Sequence, residues 1–577
     1  MFMYFTKIFS ILPVFILYNV SNVLFAQNAP ELLFGFPIII DSINPGTAQP
    51  VVADINNDGT EEIIVSNSSE PFLVFVYQLN GTILEGWPQP YTEGDDMRAI
   101  AAGDIDGDGA IEIVARTFRR LYVWHSNGIV VDGFPQILAA NDDYNFGKTI
   151  LLYDLHKNNT LDIITTTFNQ IIIHHSDGTV HSGWPKILNG TYATYPVAGD
   201  LDNNGISEII VSSYSTPTPN TGWLYIFDTN GELLPNWPIM LDSGYFFSQS
   251  RSLCNINDDD SIEIIAPNTL PLSTNPPIYE AKITIYSPTA RVVKQWYSPL
   301  PIGSLKSFCT VSLADFNNDG TKEFAVSDWE NHIYIFDTSG NVLPGWPQQQ
   351  PIAQRYTPIL SDIDNDSIPE LFLGDNGSLR DTGTIHCYNY LGQEMPWSPF
   401  QVFGNTGVRY PVFSDMDGDG TIEMVLLGNL GIRYWGNALS VYRFPNTIFS
   451  STTSPWPQLQ HDRYNTYQFG YVPSDNVVGV ADGVPSVPEQ FSLKQNYPNP
   501  FNPTTAIGFS LLAVGNVTLK IYDILGREVQ TLLNNDRMQA GRHEIQFDGS
   551  ALTSGVYFYR LSVDSKFSET KKLVLMK

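Results

Sequence analysis

The sequence predicts an all-β protein: an eight-bladed β-propeller, with seven blades as the alternative, followed by a small C-terminal β-sandwich. Three observations predict it. An acidic nine-residue stretch recurs eight times, with starts 46 to 60 residues apart, a period that belongs to propellers and solenoids. Each copy is flanked by short β-type apolar runs and a turn signal, with no helical periodicity between copies. After residue 490 the composition changes and the pattern becomes plain β alternation.

The chain opens with "MFMYFTKIFSILPVFILYNVSNVLFAQ": one charge at Lys7, an apolar stretch from Ile8 to Phe25, and Ala26 before Gln27. That is the layout of a secretory signal peptide, residues 1–26. Pro13, Asn19, Ser21 and Asn22 interrupt the stretch and disfavour the alternative, an uncleaved membrane anchor. No other segment is apolar for long enough to span a bilayer. The 577 residues are 43% hydrophobic, which suffices for a large core, and 60 acidic against 30 basic residues give a net charge of −30. Such a field repels nucleic acid. Cys254, Cys309 and Cys387 are too few and too scattered for a disulfide scaffold and read as buried small apolar residues, with one bridge left open.

The eight stretches are "DINNDGTEE" from Asp54, "DIDGDGAIE" from Asp104, "DLHKNNTLD" from Asp154, "DLDNNGISE" from Asp200, "NINDDDSIE" from Asn255, "DFNNDGTKE" from Asp315, "DIDNDSIPE" from Asp362 and "DMDGDGTIE" from Asp415. We number them loops 1 to 8. Short apolar runs such as "PVVA" and "PVAG" precede them, and β-branched runs such as "IIVS" follow. Then come hairpin patterns, "LYVWHSNGIVVDGFP" and "IYIFDTSGNVLPGWP" among them, in which Asn-Gly, Asp-Gly or Ser-Gly marks a tight turn. Four short strands in about 50 residues make a propeller blade; a β-sandwich array, the alternative, needs about 100 residues per domain. "GFP" at Gly35 to Pro37 precedes loop 1 and "PWP" at Pro455 to Pro457 follows loop 8. This predicts that the N-terminal segment lends a strand to the last blade and closes the ring.

Within each stretch, side-chain oxygens recur at positions 1, 3, 5 and 9, usually with Gly at position 6. Alternate residues of a tight loop aim at one centre, and Gly permits the sharp turn. Several hard oxygen donors suit Ca²⁺, which takes six to eight, better than Mg²⁺, which keeps its waters. The candidate ligands are Asp54, Asn56, Asp58 and Glu62 in loop 1; Asp104, Asp106, Asp108 and Glu112 in loop 2; Asp154, Asn158 and Asp162 in loop 3. Loop 4 offers Asp200, Asp202, Asn204 and Glu208; loop 5 Asn255, Asn257, Asp259 and Glu263; loop 6 Asp315, Asn317, Asp319 and Glu323. Loop 7 offers Asp362, Asp364, Asp366 and Glu370, and loop 8 Asp415, Asp417, Asp419 and Glu423. Up to eight Ca²⁺ are expected. An EF-hand would need an acid at position 12, where this chain has Val65, Ala115, Thr165, Val211, Ala266, Val326, Leu373 and Leu426. Solvated Asx-turns are the plain alternative, but eight copies with one spacing favour metal. Loops 3 and 5 are degenerate: His156 and Asn158 stand at positions 3 and 5 of loop 3, which lacks the Gly, and loop 5 begins with Asn255.

On these loops, residues of about 30 to 470 resemble the FG-GAP/VCBS-type, integrin-α-like calcium-binding β-propellers. The resemblance implies that calcium stiffens a strand connection and rarely does chemistry. The literal Phe-Gly and Gly-Ala-Pro signatures are largely missing, so an integrin-like ligand face is not carried over.

Other features read as structural. His175 holds the hairpin position of His125, Asp228 and Asp337, so His174, His175 and His181 are expected to be polar turn residues rather than a metal cluster. The Trp-Pro elements are expected to pack between blades. "PWPQLQHDRYNTYQFG" contains His461 and Asp462, but no nucleophile motif, HExxH or phosphate loop accompanies them, and capping of the closing blade is expected.

The propeller is expected over 27–472 and a Pro/Gly/Val/Ser linker over 473–490. Residues 491–577 carry a net charge of +3 and alternate as β-strands in "VTLKIYDILGREV", "GRHEIQFD", "GVYFYRLSV" and "KKLVLMK", which fits a β-sandwich. "NYPNPFNPTTAIGFSL", "IYDILGREV", "AGRHEIQFD", "SGVYFYRL" and a Lys-bearing last strand closely resemble the type A sorting domain of the bacterial type IX secretion system. The resemblance implies the secretion machinery as partner, export across the outer membrane of a Gram-negative bacterium, then removal of the module with release or surface attachment. The functional expectation is an exported, calcium-stabilised propeller for extracellular or cell-surface binding or adhesion to a glycan or protein. The competing readings are a secreted polysaccharide lyase or glycoside hydrolase with its site in the propeller pocket, and a purely structural surface protein.

Overall fold

A computed structural model describes most of residues 29–468 and 492–575; the longer stretches outside the description are 1–28, 42–48, 139–148, 216–220, 300–307, 350–356, 375–381, 405–410, 431–435, 450–456, 469–491 and 494–500. The expected signal peptide and linker therefore lie outside the described residues. The chain divides into two compact units, 1–476 and 477–577. All regular structure described is β, and among the described residues no helix is long and apolar enough to cross a membrane.

Among the described residues the first unit contains eight antiparallel sheets of four or five strands, one for each acidic loop. Sheet 2 shows the pattern: Met97–Gly103, Glu112–Thr117, Arg120–Trp124 and Gln136–Ile137 are hydrogen-bonded in that order, and loop 2 joins the first two. The second strand is buried along its whole length here and in Glu62–Ser66, Asp162–Thr167, Glu323–Ser327 and Glu370–Gly374. A strand buried on both faces has no polar alternation to show, which explains the continuous β-branched runs. The fourth strand is only two residues long in five sheets and partly exposed, and so presents little unpaired edge to a neighbouring molecule.

Apolar clusters shared by neighbouring sheets run in a closed circuit. They join sheets 1 and 2 through Trp87 and Trp124, 2 and 3 through Leu121 and Leu161, and 3 and 4 through Trp184 and Phe227. One larger cluster links sheets 4 to 7, another sheets 7 and 8, and a last one packs sheet 8 on sheet 1 through Val441 and Ile63. Ring closure follows the expected route. Ile38–Asp41 pairs with the last strand of sheet 8, Ile38 opposite Leu439 and Asp41 opposite Gly436. The all-β propeller architecture is thus built from within the chain.

The Trp-Pro elements lock blade to blade. Trp87 Nε1 donates to the Ser126 carbonyl at 2.8 Å, Trp184 to Thr229 at 3.1 Å, Trp237 to Pro288 at 2.8 Å and Trp346 to Tyr390 at 2.8 Å, each time reaching the hairpin of the following sheet. Before the aromatic, Gly86, Gly183 and Gly345 are held at φ of 89–92° against that same hairpin, and Asn236 adopts φ of 72°. A Cβ on Gly133 would stand 2.0 Å from the Asp177 carbonyl oxygen, so Gly is obligatory there.

One expectation is corrected. The segment after sheet 8 does more than cap that blade. The Pro457 carbonyl accepts the Phe413 N–H in sheet 8, but the Arg463 and Tyr464 carbonyls accept from Ala102 and Leu152, on the first strands of sheets 2 and 3. Asn465 Nδ2 reaches the Ile150 carbonyl at 3.0 Å, Gln468 bridges Leu253 of sheet 5, and Tyr464 is wholly buried among the apolar side chains of sheets 2 and 3. Asp462 accepts the N–H groups of Tyr464 and Thr466 and pairs with His461 at 2.9 Å, so it organises this crossing segment. All three cysteines are buried and no disulfide joins them.

The second unit is a small sandwich. A three-stranded sheet (Ser492–Leu493, Thr504–Leu511, Gly541–Asp548) and a four-stranded one (Glu528–Met538, Gly515–Tyr522, Gly555–Val563, Phe567–Leu575) enclose one core with Phe509, Leu519, Phe547, Tyr559 and Leu573.

Candidate metal centres

Each loop is wound by its own aspartates. In loop 1 the Asp58 and Gly59 N–H groups donate to the two oxygens of Asp54 at 3.0 and 2.9 Å. The same pair of bonds recurs in loops 2, 3, 4 and 6. Asp362 in loop 7 and Asp415 in loop 8 accept comparable N–H groups. In all eight loops the position-5 side chain accepts the position-7 N–H at 2.7–3.1 Å. The turn needs a left-handed residue at position 6: Gly59, Gly109, Gly205, Gly320 and Gly420 supply it at φ of 87–89°, and Asn159 and Ser367 adopt it in loops 3 and 7.

Position 9 opens the second strand, and there the seven glutamates are almost completely buried. Each uses Oε2 to accept the N–H of position 2 at 2.7–3.2 Å, in the pairs Glu62–Ile55, Glu112–Ile105, Glu208–Leu201, Glu263–Ile256, Glu323–Phe316, Glu370–Ile363 and Glu423–Met416. One N–H does not compensate a buried carboxylate. Burial pushes Glu62, Glu208, Glu323 and Glu423 up to about 7, Glu112 to about 8 and Glu370 to about 9, with the loop aspartates adding to the rise. A dication among these oxygens would reverse that balance.

The donor sets sort the loops. In loops 2, 4, 7 and 8, oxygens of Asp104, Asp106 and Asp108, of Asp200, Asp202 and Glu208, of Asp362, Asp364 and Glu370, and of Asp415, Asp417 and Glu423 lie within 4.8 Å of one another. Oxygens on opposite sides of one Ca²⁺ are about 4.8 Å apart, so these sets fit the ion. In loops 1, 5 and 6 an amide bridges the acids instead: Asn56 Nδ2 donates to Glu62 at 2.9 Å, Asn257 to Glu263 at 3.4 Å and Asn317 to Glu323 at 3.3 Å. A half-turn of that amide would present its oxygen. Loop 8 already holds a cation of the chain's own: Arg443 Nε donates to Glu423 Oε1 at 2.5 Å, and the guanidinium also bonds Asp417 and stands 3.5 Å from Asp419.

Arg443 exposes a position that sequence reasoning took for a turn. The residue in register with position 9 across the second hairpin is Gln78, His125, His175, Asp228, Ser287, Asp337, Asn389 or Arg443 in sheets 1 to 8. It closes over the loop: His125 Nδ1 is 3.2 Å from Glu112 Oε1. Loop 3 corrects the sequence reading outright. His181, set aside as a polar turn residue, is buried with Nε2 2.5 Å from Asp162 Oδ1, and His156, the position-3 residue of the loop, has Nδ1 3.3 Å from Asp162 Oδ2, so both face an expected calcium ligand. The signal was the replacement of an apolar residue by His181.

Comparison with known proteins agrees with this architecture. Residues 54–115 match the FG-GAP-like repeat family, and residues 495–576 match the family described as the secretion system C-terminal sorting domain. No curated protein matches the chain. Among solved structures, BamB from Moraxella catarrhalis is 13% identical, with 72% of this chain and all of that chain covered and a TM-score of 0.41. The V. cholerae biofilm matrix protein Bap1 is 14% identical over 77% of this chain and 97% of that chain, with a TM-score of 0.37. A chain of the BBS1N complex with ARL6DN is 10% identical over 72% of this chain and 98% of its own, with a TM-score of 0.38. Scores below 0.5 leave the fold resting on the chain's own sheets. Loops, sheets and matches converge on one statement: the chain joins a β-propeller unit bearing an FG-GAP-like repeat to a secretion-system C-terminal sorting domain.

Proposed function

We propose that this is an exported, eight-bladed, calcium-stabilised propeller that binds an extracellular or cell-surface glycan or protein, delivered by the type IX machinery through residues 491–577. The observation that carries the calcium reading is the row of seven buried glutamates, each tethered through Oε2 to one N–H, of which Glu423 alone bonds an Arg or Lys among the described residues. Ca²⁺ would be held by positions 1, 3, 5 and 9, where it would supply countercharge and no reaction step. The matched sorting domain carries the export reading. The binding reading is favoured over a hydrolase or lyase by the segment around Tyr464. That segment lies along the first strands of sheets 2, 3 and 5, where the competing reading needs an open pocket.

A glycan and matrix-protein array probed with the purified chain in Ca²⁺, with product analysis of every hit, tests this. Saturable binding without turnover, lost on chelation, is expected. Bond cleavage would replace the reading with the enzymatic one, and binding and stability both indifferent to chelation would refute the calcium role.

A further inference from the structure

We propose that loop 3 is a transition-metal site of the Zn²⁺ class, held by His156, Asp162 and His181 with His175 at its rim, and that it has exchanged calcium for a nitrogen-binding ion. The blades serve as each other's controls. At position 3 the other loops carry Asn56, Asp106, Asp202, Asn257, Asn317, Asp364 and Asp417; loop 3 carries His156. At the residue two before the pre-aromatic Gly or Asn, other blades place Leu84, Val131, Leu234 and Leu343 in or against the apolar core; blade 3 buries His181 there. At position 9 the other seven loops carry Glu; loop 3 has Asp162, shorter by one methylene, and its two oxygens face histidines.

These are three departures at three separated positions, and all converge. One ligand atom from each of His156, Asp162 and His181 lies within 4.8 Å of the others. His156 Nδ1 and Asp162 Oδ2 are 3.3 Å apart, about the spacing of two ligands around a tetrahedral ion at 2.0–2.1 Å. His175 Nδ1 stands 3.9 Å from Asp162 Oδ1, and its ring centroid is 3.4 Å from that of His181. His175 is half-exposed, so a rotation brings it in as fourth ligand, and His156, also half-exposed, leaves a path for the ion. The oxygen set is correspondingly poor: position 3 carries no side-chain oxygen and position 5 is the amide Asn158, which leaves Asp154 and Asp162 as the carboxylates at the four ligand positions. Imidazole suits Zn²⁺, Cu²⁺ and Ni²⁺, whereas Ca²⁺ takes oxygen.

The test is Zn²⁺ titration of the purified full chain in excess Ca²⁺, with Co²⁺ absorption as a report of nitrogen ligation. Two variants restore the residues of other blades, His181→Leu and His156→Asn, so both are compatible with the fold, and a Ca²⁺-dependent thermal midpoint close to the parent's verifies it. One Zn²⁺ per chain is expected, unaffected by Ca²⁺, with affinity at least about tenfold weaker in each variant. Equal zinc affinity in parent and variants, competition by Ca²⁺, or the lack of any saturable zinc binding would overturn the assignment. None of these outcomes bears on the calcium reading of the other loops.

Discussion

Replacing Glu112 by Gln should stabilise the protein in a chelator and destabilise it in Ca²⁺. Glu112 is fully buried at the start of the second strand of sheet 2, with Oε2 on the Ile105 N–H and Oε1 toward His125. Burial, then Asp106, push its carboxyl from 4.5 up to about 8. In the unfolded chain the group ionises near 4.5, so between pH 4.5 and 8 the folded, cation-depleted protein keeps a proton that the unfolded chain has lost. Stability contributed by this group is therefore full below pH 4.5 and is lost as pH rises toward 8. At pH 7 the difference spans 2.5 pH units at 1.36 kcal/mol each, about 3 kcal/mol, and at pH 5 about 1 kcal/mol. Gln keeps the Ile105 bond and carries no charge, so the variant should gain about 3 kcal/mol at pH 7 and little at pH 5. With Ca²⁺ present it loses a charged ligand and the sign should invert. Urea unfolding at pH 5 and 7, with chelator and with Ca²⁺, reads all four cases. Destabilisation of equal size in both media would refute the reasoning, because it would mean that Glu112 acts through its neutral contacts alone.

Arg443→Gln should open loop 8: bound Ca²⁺ rises by one per chain in equilibrium dialysis, and without Ca²⁺ the variant loses about 1–3 kcal/mol as Asp417, Asp419 and Glu423 lose their counterion. Unchanged stoichiometry would show that the guanidinium does not block the site. Trp87→Phe keeps the ring packed on Trp124 but removes the 2.8 Å bond to the Ser126 carbonyl, and thermal or urea unfolding should show a cost of about 1–3 kcal/mol. A neutral result would reduce the Trp-Pro latch to packing.

Most of the scaffold was legible because propellers are written in local repeats. The acidic loop, the β-branched run and the hairpin turn all sit within one 50-residue window, and each strand's partner is its neighbour in sequence. The closing strand was legible too, since the "GFP" of residues 35–37 has relatives in blades 1, 2, 3, 4 and 6, at residues 86–88, 133–135, 183–185, 236–238 and 345–347. Two features were not. The residue facing position 9 lies 13 to 24 positions away, as in Glu112–His125 and Glu263–Ser287, and only the hairpin register brings it over the loop. The segment at Tyr464 reaches Ala102 and Leu152 across more than 300 residues, with no periodicity to announce where it lands. His181 was visible as a departure from Leu84 and Leu343, but a lone histidine near a turn carries no signal until His156 is placed beside it.

That facing residue also orders the sites. In three blades its charge runs counter to that of the loop: loop 8, with four acids, receives Arg443, while loops 4 and 6, which spend one position on Asn204 or Asn317, receive Asp228 or Asp337; loops 1 and 7 receive the neutral Gln78 and Asn389. Asp228 already acts on Glu208, raising it further. Loop 5 is poorest, with two carboxylates at the ligand positions and Ser287 opposite. Carboxylate count sets the strength of an oxygen site for Ca²⁺. Graded chelation should therefore strip loop 5 first and loops 2, 4, 6 and 7 last, and the pH dependence of unfolding should steepen in steps as Glu263, then Glu62, then the glutamates of loops 2, 4, 6 and 7 lose their ions. Because neighbouring sheets share apolar cores, each step should loosen the blades on both sides of the emptied loop. Hydrogen exchange at Ile264 and Ile265 would then rise before exchange at Ile113 and Val114. Simultaneous loss of protection around the whole ring would instead mean that the ions stabilise the propeller as one body, and that the choice of facing residue has no bearing on affinity.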